Sequence, residues 1–150
     1  MPTKRHFHKR NLPHLYYDEG IYFVTFRLYN SIHPVELLKL QKLQSERTET
    51  ERPRIFKKYD ELLDKPNNNI NYLIIPAIAE ICKNSTMHFD GKEIEIICYC
   101  IMPNHIHLVF ELLDKEKLVG DIIASIKKYS ARLANKVLNP NFATEQKIAS

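Results

Sequence analysis

The chain has 150 residues, 44% hydrophobic and 27% charged, and its 22 Lys and Arg against 18 Asp and Glu leave a net charge of +4. That length suits one core and one domain, no apolar run approaches the roughly 20 residues of a membrane span, and the basic opening leads into Asn-Leu-Pro-His rather than the apolar core of a signal peptide. A cytoplasmic protein with Cys82, Cys98 and Cys100 as free thiols is therefore expected, and a pI near 8.9 permits a polyanionic partner without demanding one.

Residues 21–29, Ile-Tyr-Phe-Val-Thr-Phe-Arg-Leu-Tyr, follow Gly20 as a dense β-branched and aromatic run and predict a buried strand. Pro34 sits where a first helical turn begins, and Leu37, Leu38, Leu40 and Leu43 carry that helix to about Ser45. Residues 55–63 predict a second short helix. A third, capped by Asn71 or a neighbour, runs to about Lys83 and starts late or kinks at Pro76. Residues 86–101 carry an Asp-Gly turn between two extended arms, the second being a strand over 93–101. Residues 102–104 connect it to a returning strand over 105–112. Leu118, Ile122, Ile126, Tyr129, Leu133 and Val137 then recur at three- and four-residue steps, the pattern of a long amphipathic helix. Strand, helices, strand, strand, helix describes an α+β layer, a ferredoxin-like antiparallel sheet with helices on one face. A ferredoxin-like unit has one more strand after its second main helix, and residues 142–150 show no periodicity that could supply it, so the last elements are expected to be missing.

The most informative stretch is Cys98-Tyr-Cys-Ile-Met-Pro-Asn-His-Ile-His-Leu-Val-Phe110. On a strand His105 and His107 point to the same face, and two imidazoles fixed on one rigid face can hold a single divalent ion. The alternative is two histidines satisfied by hydrogen bonds on a half-buried face. His6-Phe-His8 has the same spacing but lies in the basic terminus and reads as solvated. Cys98 and Cys100 could join the pair in a Cys2His2 zinc site, depending on the turn. A three-residue turn puts the cysteines on the opposite side, and a two-residue turn puts them on the histidine side. Positive charge collects at residues 4–10 and again at Lys127, Lys128, Arg132 and Lys136, two clusters that suit a phosphate backbone or are simply solvated.

The run from Tyr99 to Phe110, with its Met-Pro-Asn-His-x-His string, closely resembles the signature of the IS200-like and REP-associated tyrosine transposases, members of the HUH class of single-strand nucleases. Arg10-Asn-Leu-Pro-His14 with Tyr22-Phe-Val-Thr-Phe-Arg-Leu28 is similar to the family's N-terminal strand, and residues 125–135, Ser-Ile-Lys-Lys-Tyr-Ser-Ala-Arg-Leu-Ala-Asn, to the helix after the histidine strand. The resemblance implies an IS200-like domain over residues 10–138, between a basic tail at 1–9 and an irregular tail at 139–150. It implies transposition of single-stranded or hairpin DNA with a divalent ion, Mg2+ or Mn2+, on His105 and His107. A tyrosine attacks the scissile phosphate, leaving a 5′-phosphotyrosine bond. Arg27, Asn104, Lys127, Lys128 and Arg132 are the expected DNA contacts.

The family's nucleophilic tyrosine and third metal ligand lie on a later helix, after a Phe-Trp-containing segment. This chain has no tryptophan, and its last tyrosine is Tyr129. The expectation is a truncated transposase that is inactive as it stands. One alternative is an active nuclease using Tyr129, with Glu111 or Asp121 as a further ligand. The other is a DNA-binding remnant or regulator without chemistry.

Overall fold

A computed structural model describes residues 4–10, 12–17, 20–45, 51–65 and 70–140, with only the backbone course for residues 4–10 and 12–17. Strands β1 (Lys4–Arg10) and β2 (Leu12–Tyr17) pair as an antiparallel hairpin of their own. The basic terminus expected as a tail is thus extended, while the solvated reading of His6 and His8 concerns side chains outside those described. The main sheet has three antiparallel strands in the order β3 (Ile21–Arg27), β5 (His105–Leu112), β4 (Ile94–Ile101). Four helices complete the α+β fold: α1 (Pro34–Ser45), α2 (Arg52–Asp64), α3 (Pro76–Met87) and α4 (Val119–Leu138).

Alternation along β5 sorts the layers. Ile106, Leu108, Phe110 and Leu112 point to one face, where they are buried with Ile78 and Cys82 of α3 and Val119, Ile122, Ile123 and Ile126 of α4. Tyr22, Val24 and Phe26 of β3 join that face, Tyr22 stacking on Phe110 at 5.6 Å. A second cluster of Ile32, Leu40, Ile55, Tyr59 and Leu63 glues α1 to α2, and α2 contacts the opposite face of the sheet. Its Phe56 ring meets Phe23 edge-on at 5.2 Å, and Phe23 is one of the residues of β3 that point away from the α3–α4 layer.

Two predicted elements are revised. Residues 86–89 are not the first arm of a hairpin: α3 runs on through Thr86 and Met87, whose helical course is reinforced by Thr86 Oγ1 donating to the Cys82 carbonyl and Ser85 Oγ to that of Ile81. The Asp-Gly signal instead serves a tight helix-to-strand turn. Gly91 takes φ +69, a conformation that glycine adopts without steric cost, and Asp90 Oδ1 accepts from the Ile96 amide at 2.8 Å. Asn71 does not cap α3 either. It precedes a 3-10 turn at Tyr72–Ile74, and α3 begins at Pro76, where the missing N–H of proline is not needed.

Candidate functional site

The Met-Pro-Asn string folds as a two-residue turn. The Met102 amide donates to the His105 carbonyl at 2.9 Å, leaving Pro103 and Asn104 at the corners. The turn is pinned from both sides, its Asn104 carbonyl accepting from the Leu28 amide at 2.8 Å and its Pro103 carbonyl from the Leu73 amide at 3.1 Å. This turn settles the hairpin parity: Cys100 lies across from His107, and a bulge between Ile96 and Cys98 puts Cys98 opposite Val109. Both cysteines therefore share the histidine side. They are exposed, however, and Cys100 Sγ spends its proton on Met102 Sδ at 3.6 Å. Among the described residues no three His, Cys, Asp or Glu side chains stand together as a ready-made metal cluster, so the register that Cys2His2 ligation requires is present and the gathering is not.

His105 and His107 meet on the face of β5 turned toward α2. Their rings cross at 83° with centroids 4.6 Å apart, and their Nε2 atoms are 3.0 Å apart. His105 is 1% exposed and His107 half-buried. Each ring is held at its other nitrogen. Asn104 Nδ2 donates to the Leu63 carbonyl at 2.9 Å, so Asn104 Oδ1, 2.6 Å from His105 Nδ1, is the acceptor and His105 carries its proton on Nδ1. The lone pair of His105 Nε2 is thereby left facing His107. Thr25, the cross-strand partner of His107, places its Oγ1 2.9 Å from His107 Nδ1. With His105 Nε2 as acceptor, His107 Nε2–H donates to it, and the Thr25 hydroxyl donates to His107 Nδ1. Because a hydroxyl can also accept, the same Thr25 supports the opposite tautomer. Phe23 stacks on the His107 ring at 5.5 Å and 19°.

The electrostatics fit a neutral His105. Burial, with His107 adding to it, holds His105 below the ordinary histidine value, and Asp64 opposes the shift. Burial likewise pushes the Asp60 carboxyl up, His107 pulling it back and Asp64 adding to the rise. Asp60 Oδ1 is buried without a hydrogen-bond partner among the described residues.

The other expected site residues separate into two groups. Arg27, opposite His105, donates to the Leu28 carbonyl at 3.2 Å and to the Tyr59 hydroxyl. Its charge adds to burial in holding Lys127 below the usual lysine range, although Lys127 as a whole stays exposed. Lys128 and Arg132 are elsewhere: with Tyr129, His88 and Phe89 they line a pocket of about 520 Å³ between α3 and α4. The Arg132 guanidinium lies 5.5 Å from the Tyr129 ring centre. Tyr129 thus belongs to the helical layer across the sheet from the histidines and is not brought to them. Glu111 shares their face, but four residues beyond His107 is about 13 Å along a strand. Asp121 is exposed in the first turn of α4. Asn104, expected to contact DNA, has its amide turned inward.

Sequence reasoning missed Thr25, which bonds His107 through strand register, the Leu63 carbonyl, which holds Asn104, and Asp60, on which His107 acts electrostatically; none of the three has a local signal. The family model described as "Transposase IS200 like" matches residues 67–146. No curated protein and no solved structure matches the chain. The matched stretch is more than half of the 150 residues and contains α3, the β4–β5 hairpin with both histidines, and α4; the chain belongs to the IS200-like transposase family.

Proposed function

We propose that this chain binds single-stranded or hairpin DNA and holds a divalent ion, Mg2+ or Mn2+, on the Nε2 atoms of His105 and His107. The chemistry it serves is DNA transposition through a 5′-phosphotyrosine bond. The observation that carries the reading is the 3.0 Å separation of the two Nε2 atoms. Two adjacent ligands of an octahedral ion with bonds of about 2.1 Å stand about 3.0 Å apart, so the pair is spaced for one ion. His105 already presents a lone pair there, and His107 presents one after its proton moves to Nδ1 and the Thr25 hydroxyl turns to accept. Such outer partners fix ring orientation and tautomer at metal-bound histidines.

A bound ion supplies charge stabilisation at a phosphate oxygen. The chain's own residues do the rest. Asn104 locks His105, Thr25 follows the tautomer of His107, and Arg27 with Lys127 offers positive charge at the histidine end of the sheet. Lys128 and Arg132 extend the phosphate-binding surface onto the α3–α4 side. Tyr129 is not the attacking tyrosine in this reading, because its helix packs on the sheet face opposite the histidines. Tyr59 is on the right side, but burial pushes its hydroxyl pKa up, which disfavours the phenolate. Residues 1–150 alone are thus expected to bind DNA without cutting it. Labelled single-stranded hairpin DNA, incubated with the protein and Mn2+, tests both parts. Salt-sensitive retention without a covalent adduct is expected. Absence of binding at low salt would remove the DNA reading, and an adduct lost in Tyr129→Phe would overturn the assignment of Tyr129.

A further inference from the structure

Helix α2 carries, on the side turned to the histidines, a carboxylate with one oxygen that has no hydrogen-bond partner among the described residues. Two contacts fix the helix there: Phe56 rides on Phe23, which stacks on His107, and the Leu63 carbonyl accepts from Asn104, which holds His105. Asp60 lies four residues after Phe56 and three before Leu63, on the helix face that both of them share. Its Oδ1 is the oxygen buried without a partner. Leaving a buried carboxylate oxygen unpaired is costly.

We propose that Asp60 is the third protein ligand of the divalent ion held by His105 and His107, so that α2 rather than α4 completes the centre. This rests on the reading of the histidine pair as a metal site. Two imidazoles and one carboxylate leave the remaining positions of an octahedral ion for water and phosphate oxygens. The three residues are not gathered around a common point without the ion; coordination draws the Asp60 side chain onto the histidines. Asp64, one turn further along α2, acts on both Asp60 and His105. Its negative charge favours a cation at the centre.

The test is Mn2+ binding to the full chain, without DNA, followed by calorimetry and by the loss of the free-ion electron spin resonance signal. One ion per chain is expected for the unaltered protein, and none in His107→Ala. Asp60→Asn and Asp60→Ala should each weaken binding about 10-fold or more, at least as much as loss of an outer-shell partner. Asp64→Asn should weaken it less than either. Thermal unfolding in chelator provides the fold control. Because Asp60 Oδ1 has no partner, Asp60→Asn should melt no lower than the unaltered chain, while losing the upward shift that Mn2+ gives the latter. Affinity in Asp60→Asn and Asp60→Ala equal to that of the unaltered chain, with His107→Ala abolishing binding, would overturn the role of Asp60 alone. Failure of the unaltered chain to bind, or undiminished binding in His107→Ala, would overturn the metal reading beneath it.

Discussion

Replacing Asn104 by alanine tests the centre through its least conspicuous member. The side chain is 8% exposed and makes two hydrogen bonds of different kinds. Its Nδ2 supplies the Leu63 carbonyl in the last turn of α2, where helix carbonyls have no internal partner, and its Oδ1 receives the His105 Nδ1 proton. Each bond contributes about 1 kcal/mol net, and stranding the buried His105 N–H costs about 1–3 kcal/mol more. The sum is a destabilisation of about 3–5 kcal/mol, or roughly 6–20 °C in melting temperature for a chain of this size. Urea denaturation of Asn104→Ala should show that loss with an unchanged m-value. The variant has a second expected consequence: nitrogen chemical shifts of His105 should report loss of its preference for the Nδ1–H form. An Asn104→Ala protein within about 0.5 kcal/mol of the parent, the range of an ordinary surface change, and with His105 still protonated at Nδ1, would refute the clamp.

Thr25→Val preserves shape but removes the hydroxyl on His107 Nδ1; Mn2+ affinity should fall about 10-fold, and unchanged affinity would show that His107 needs no orienting partner. Lys128→Ala and Arg132→Ala should each lower the slope of log binding constant against log salt by about 0.7–1 for single-stranded DNA if each contacts a phosphate; an unaltered slope would place the DNA elsewhere. The Cys82 thiol, buried where α3 meets α4, has its pKa raised by burial, with the Ser130 hydroxyl opposing. The folded chain therefore holds that proton more tightly than the unfolded chain does at its ordinary value of 9.0. Its contribution is complete below about pH 9 and is lost as pH rises through the folded value. Denaturation midpoints between pH 8 and 10.5 should decline less steeply in Cys82→Ala, and equal slopes would discount the thiol.

What was legible in the sequence is what nearest neighbours along the chain decide. The strand over residues 105–112, the helix opened by Pro34 and the long helix ending near Leu138 come from periodicity and proline placement, and each forms where periodicity locates it. The face shared by His105 and His107 is equally local, since a strand's alternation requires it. Parity was the first thing to escape, because two- and three-residue turns after Ile101 are both compatible with Met-Pro-Asn. The choice is made by the amides of Leu28 and Leu73, which reach the turn from distant parts of the chain. Residues 86–89 failed for the opposite reason: the Asp-Gly signal suggested an arm before the turn, while the side chains of Ser85 and Thr86 bonded back into the helix.

Helix α2 shows most clearly where local reading stops. The sequence predicts a short helix over residues 55–63, with no local signal for the direction in which Asp60 faces; the helix spans Arg52–Asp64. Ile55, Tyr59 and Leu63 are spent on α1, and that packing rotates Phe56 and Asp60 toward the sheet. The carboxylate is carried inward with the aromatic that precedes it by one turn, as the helical repeat demands. Ile55, Tyr59 and Leu63 thus determine which way Asp60 faces, and a variant that disturbs them should move the carboxylate without touching it. Tyr59→Ala, which removes the ring from that cluster, should weaken Mn2+ binding, while Tyr59→Phe, which keeps the ring, should leave it unchanged; Tyr59→Ala binding as tightly as the unaltered chain would show that this packing does not aim Asp60.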